Sequence, residues 1–118
     1  MSFFRLFVYG TLKKGFSANS LLEDAEFLGN ASTSPGYFLL NCGEYPGLVR
    51  LAGLKTVQGE LYSVSQETLA RLDQHEGVPT LYTREKIDLE GVDGLVETYF
   101  YRGPMAGKTL VKTGIWES

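Results

Sequence analysis

A chain of 118 residues, 43% hydrophobic and 21% charged, can close one hydrophobic core unaided and is too apolar to stay disordered. Its formal net charge of -3 provides no overall basic field for a nucleic-acid backbone or an anionic membrane surface, so neither is an expected partner. The one cysteine, Cys42, cannot form an internal disulfide or a cysteine-paired zinc site, and it suits a reducing, cytoplasmic setting.

The apolar run Phe3–Tyr9 carries Arg5 and is far shorter than the ~20 residues a membrane-spanning helix needs, so it reads as a buried first strand. The stretch from Gly10 to Gly15 turns the chain off that strand. Ser17 to Ala25 suits a short helix with Leu21 and Leu22 inward. From Phe27 to Leu51 the pattern is of short strands broken at Ser34-Pro35-Gly36 and between Gly43 and Gly47, and Val57–Val64 is a further strand. The strongest helix signal runs from Gln66 to His75. Ser65 is a suitable N-cap, Glu67 favours the first turn, Val64 can staple onto Leu69, and Gly77 with Pro79 ends the segment. Tyr82–Leu89 and Leu95–Tyr101 then read as an antiparallel pair joined through Glu90–Gly94. The tail from Gly103 to Ser118 offers Ile115 and Trp116 to the core. No repeat or linker divides the chain, so a single domain over 1–118 is expected.

Two motifs imitate chemistry without supporting it. Gly10-x-x-x-x-Gly15 follows a strand as a phosphate-binding loop does, but Phe16-Ser17 stand where lysine and then serine or threonine are required. His75 is the only imidazole, with no partner that would make a nucleophilic triad of Cys42, and the acidic residues show no metal-ligand spacing.

Glu76 is more informative. On a helical period Leu69, Leu72 and Glu76 share a stripe, so a face directed at the core ends in a carboxylate. Partial burial there would raise its pKa toward the range of a general base. An ordinary helix-end acid, solvated or paired with Arg71 or Arg84, remains open on this pattern. Tyr82 and Arg84 alternate onto one face of their strand and are further candidates for substrate contact.

Val8-Tyr9-Gly10-Thr11-Leu12-Lys13-Lys14-Gly15, Gly59-Glu60-Leu61-Tyr62 and the segment from Leu72 to Arg84 containing Glu76-Gly77-Val78-Pro79 resemble, in order, the signature segments of the γ-glutamylcyclotransferase superfamily. The nearest resemblance is to its γ-glutamylamine cyclotransferase and AIG2-like branch. It implies an α+β fold built on a compact, barrel-like mixed sheet with flanking helices. It also implies Glu76 as catalytic acid/base and Tyr9, Gly10, Thr11 and Leu12 as the substrate cradle. The implied substrate is a small γ-glutamyl compound whose own α-amine is the nucleophile, which explains how a chain with no triad, metal or cofactor could cleave an amide. A non-catalytic binding module of the same fold, or a relative acting on another γ-glutamylated metabolite, are the alternatives.

Overall fold

The computed structural model describes residues 2–117. Among them are β1 (Phe3–Val8), a 3-10 turn (Asn19–Leu22), β2 (Glu26–Ser32), β3 (Tyr37–Asn41), β4 (Pro46–Arg50), β5 (Gln58–Ser65), α1 (Gln66–His75), β6 (Tyr82–Lys86), β7 (Glu97–Tyr101) and β8 (Thr109–Leu110). The strands form one mixed sheet in the order β2-β5-β1-β7-β4-β3-β8, with β6 added on β7. After β6 the chain returns to the edge strand β2: Leu89 bridges Thr33, Ser34 N–H donates to Asp88 O at 2.9 Å and Glu90 N–H to Ser32 O at 2.8 Å. The sheet therefore wraps into the expected barrel-like α+β form without a continuous closing ladder.

Alternation along the central strands explains the two-sided core. Leu6 and Val8 of β1, Tyr62 and Val64 of β5, and Tyr99 and Tyr101 of β7 belong to the cluster under α1. Phe7, Leu61 and Phe100, their out-of-phase neighbours, join Tyr37, Leu39, Leu48, Val57 and Trp116 in a second cluster. A strand buried on both faces needs a continuous apolar run, which is what Leu6-Phe7-Val8 supplies.

β7 is the pivot. One edge takes β6 antiparallel, with Tyr82 opposite Tyr101 and Arg84 opposite Tyr99. Its other edge is shared by two parallel neighbours, β1 at Leu6–Glu97 and β4 at Leu48–Phe100. The Tyr9 hydroxyl fills the fork where these two part, donating to Tyr99 O at 2.7 Å and accepting from Leu48 N–H at 3.2 Å.

Two expected elements differ. The helix read over Ser17–Ala25 is a single 3-10 turn, because only Leu22 there is fully buried and no continuous apolar face holds further turns on the sheet. Of the two helices read from sequence, α1 flanks the described sheet as an α-helix. The hairpin strands are also shorter than read: Asp88–Glu90 leave β7 to bond the end of β2, where Leu89 is buried.

The tail docks through Trp116, while Ile115, also offered to the core, stays half-buried and outside both clusters. Gln58 N–H donates to Gly114 O at 2.9 Å, Lys13 Nζ donates to Trp116 O at 2.8 Å, and the Trp116 ring is buried. Met1 and Ser118 lie outside the described residues. Trp116→Ala should lower unfolding free energy by about 3–5 kcal/mol, the usual range for deleting a buried indole. Urea denaturation would show this as a lower midpoint at an unchanged slope. None of the described helices is long and apolar enough to cross a membrane.

Candidate active site

The helix that carries Glu76 is fixed at both ends by its own sequence. Ser65 Oγ accepts from Thr68 N–H at 3.1 Å, and Val64 and Leu69 meet in the core beside it. At the other end Gly77 takes φ 68°, Gly77 N–H reaches Gln74 O at 3.2 Å and Val78 N–H reaches Asp73 O at 3.0 Å. This paired closure needs a left-handed residue after the cap, which glycine adopts at little cost. Leu69 and Leu72 are buried on the inward stripe, and Glu76 follows them as the half-buried C-cap.

Neither alternative partner for Glu76 is available. Arg71 donates to Thr68 Oγ1, while Arg84 is held by Asp73 and, through Nε at 3.4 Å, by Glu97. Among the described residues the Glu76 carboxylate has no hydrogen-bond or ion-pair partner, and burial alone pushes its pKa from the ordinary 4.5 to about 7.

Glu76 opens onto a cavity of about 350 Å³ whose opposite wall is the turn after β1. Lys13 N–H closes that turn on Gly10 O at 3.0 Å, Ala18 N–H bonds Thr11 O at 2.9 Å, and Asn19 Nδ2 donates to Leu12 O at 2.8 Å. The carbonyls are thus drawn toward protein donors. The Thr11 and Leu12 N–H groups have no acceptor among the described residues, and both residues line the cavity. Successive unpaired N–H groups in a turn form a concave anion-binding site. Gly10 lets another wall approach this turn: a Cβ there would lie 2.6 Å from Pro46 Cγ and 2.8 Å from Pro46 Cδ.

Aromatic rings complete the walls. Tyr82 donates its hydroxyl proton to Pro46 O at 2.7 Å, which holds the β3–β4 turn over the site. Tyr99 donates to Asp73 Oδ1 at 2.7 Å, and the other Asp73 oxygen takes Arg84 Nη1. Burial first, and then nearby negative groups including Glu76, push the phenols of Tyr9 and Tyr82 well above their ordinary value. Burial and the hydrogen bond to Asp73 do the same for Tyr99, so all three stay neutral phenols around the cavity.

Of the residues named from sequence, Tyr9, Gly10, Thr11, Leu12, Glu76 and Tyr82 line this one cavity. Tyr9 does so beside a hydroxyl already committed to the strand fork, so its free contribution is main chain and ring edge. Arg84, expected at the substrate, is not among the lining residues. Alternation put it on the face of Tyr82, but Asp73 on the overlying helix captures its guanidinium. Tyr99, Tyr45, Pro46 and Glu44 were not picked out from sequence and line the cavity. Tyr99 had a usable signal, since an antiparallel hairpin sets it opposite Arg84 and on the same face.

Residues 6–118 match the family model described as "Gamma-glutamyl cyclotransferase, AIG2-like". The γ-glutamylcyclotransferase family protein YtfP of Escherichia coli is 35% identical over 112 residues, 95% of each chain. A bovine (Bos taurus) γ-glutamylaminecyclotransferase is 41% identical over 106 residues, 81% of this chain and 63% of that longer protein. The crystal structure of a mouse (Mus musculus) AIG2-like protein superposes with a TM-score of 0.77 at 29% identity, over 85% of this chain and 78% of that one.

Proposed function

Starting from a chain that belongs to the AIG2-like γ-glutamyl cyclotransferase family, we propose that it cyclises the γ-glutamyl group of a γ-glutamyl amine to 5-oxoproline and releases the free amine, with Glu76 as the proton shuttle. The observation that carries this reading is a carboxylate desolvated to a pKa of about 7 across one cavity from two unpaired N–H groups.

The substrate supplies the nucleophile. Its α-amine attacks the γ-carbonyl carbon while Glu76 takes a proton from that amine, forming a five-membered ring and a tetrahedral oxyanion. Thr11 and Leu12 N–H groups are the donors placed to hold that oxyanion, or the substrate's α-carboxylate. Protonated Glu76 then gives its proton to the amide nitrogen, the carbon–nitrogen bond breaks toward that nitrogen, and 5-oxoproline and the amine leave. An α-amine has a pKa near 8, so an ordinary carboxylate would face a gap of about 3.5 units, roughly 5 kcal/mol. At about 7 the gap is near one unit, roughly 1.4 kcal/mol, and the acid form remains strong enough to protonate the leaving nitrogen.

An ammonium has no lone pair, so the attacking form is the free α-amine beside ionised Glu76, which can also take the proton of an ammonium bound at neutral pH. kcat/KM should therefore rise as pH climbs through about 7 and level off above about 8, where the substrate amine is already free. An ascending limb near 4.5 would speak against Glu76 as the base. Thr11→Ala should change kcat/KM by less than about fivefold, because the loop acts through its backbone and the hydroxyl is not required. The direct test is incubation with γ-glutamyl amines, γ-glutamyl-ε-lysine and γ-glutamyl dipeptides, with 5-oxoproline detected by mass spectrometry. Absence of 5-oxoproline across the panel would reject the reading.

A further inference from the structure

Charge is distributed unevenly around the cavity. Its lining includes two carboxylates, Glu76 within and Glu44 in the β3–β4 turn, one imidazole, His75, and no lysine or arginine among the described residues. Glu44 is exposed and enters no ion pair among the described residues. Tyr45 beside it also lines the cavity, 36% exposed, with its ring edge-on to Tyr82 at a centroid distance of 6.5 Å. An unpaired carboxylate next to partly exposed aromatic rings is the chemistry that receives an ammonium group, by charge and by attraction to the ring face.

The rest of the substrate narrows the choice. The Thr11 and Leu12 N–H groups can hold one anionic centre of the γ-glutamyl unit, and no lysine or arginine in the lining is left for a second carboxylate on the leaving group. A leaving group that ended in a carboxylate would instead meet Glu44 as a like charge.

We infer that Glu44 and Tyr45 form a cation-accepting mouth that selects γ-glutamyl amides whose leaving amine carries a distal ammonium, the γ-glutamyl derivatives of aliphatic diamines, over those ending in a carboxylate. This rests on the proposed cyclotransferase reading and specifies the leaving group it left open. Glu44 and Tyr45 are specificity determinants here, remote from the reacting atoms.

The test uses three substrates with leaving groups of matched length: γ-glutamyl-(4-aminobutyl)amide, γ-glutamyl-pentylamide and γ-glutamyl-4-aminobutanoate. 5-Oxoproline release gives kcat/KM for each with the full chain at low ionic strength. The cationic amide should exceed the neutral one by about tenfold and the anionic one should fall below both, the size expected of one rim ion pair plus a cation–π contact. Added salt should shrink these ratios. Glu44→Gln should bring the cationic-to-neutral ratio close to one, and Glu44→Lys should place the anionic amide above the cationic one. Equal turnover of all three by the unaltered protein, or an unchanged ratio in Glu44→Gln, would overturn the inference while leaving the cyclotransferase reading in place. Failure of all three to yield 5-oxoproline would remove both.

Discussion

Glu76→Gln is expected to lower kcat for 5-oxoproline release by roughly a thousandfold, within the range that a positioned acid/base contributes. Glutamine keeps the size of the side chain and its hydrogen-bonding oxygen but can neither take the amine proton nor return it to the leaving nitrogen. The same substitution should make the protein more stable at alkaline pH. The Glu76 carboxyl titrates at about 7 when folded and near 4.5 when unfolded, so between those values the folded state binds the extra proton. Stability therefore falls as pH rises through that window, and above it the charged, desolvated carboxylate costs roughly 3 kcal/mol relative to acid conditions. Glu76→Gln removes that slope. Urea titrations at pH 5 and pH 8 should show a gain for the variant at the higher pH and little difference at the lower. A variant that lost both activity and stability at pH 8 would make Glu76 a structural residue. Such an exchange of stability for function is a common property of active sites.

Gly10→Val should reduce kcat/KM by about a hundredfold or more. A single Cβ at this position already comes within 2.6 Å of Pro46 Cγ, and Pro46 cannot retreat freely while Tyr82 donates to its carbonyl. The new side chain must displace either the Thr11–Leu12 donors or the opposing wall, and an error of about 1 Å in such a site can cost a hundredfold. Overpacking of this kind should cost only about 1–3 kcal/mol of stability, so the variant should remain folded. A double variant, Gly10→Ala with Pro46→Ala, should recover part of the loss seen in Gly10→Ala alone. Strict additivity of the two would mean that the contact between Gly10 and Pro46 does not position the cradle.

The helix and its acidic end were legible because every signal for them is local. Ser65, Val64, Leu69, Leu72 and Gly77 lie within a few residues of one another, the observed cap and left-handed closure involve the residue types expected, and Val64 and Leu69 share one core cluster. The turn at Gly10 was legible as a turn for the same reason. Pro46 was read only as a strand break, because its place over Gly10 follows from β7 accepting both β1 and β4 along one edge, an arrangement no local pattern encodes. Arg84 shows the converse difficulty. Its face on the strand was read correctly, but its function depends on Asp73 crossing above it, and that crossing turns a candidate substrate contact into an anchor for the helix bearing Glu76. The 3-10 turn before β2 was overread as a helix because polar residues at Glu23 and Asp24 mark a surface without requiring helical turns beneath it.

Proton transfer by Glu76 depends on the ionisation of its carboxyl group, and NMR titration of the Glu76 side-chain carboxyl carbon in the full chain measures it. A midpoint near 7, falling toward the ordinary value when Leu72→Asn admits water to the helix face, is the predicted result. A midpoint near 4.5 in the unaltered protein would show an ordinary solvated acid and contradict Glu76 as the proton shuttle.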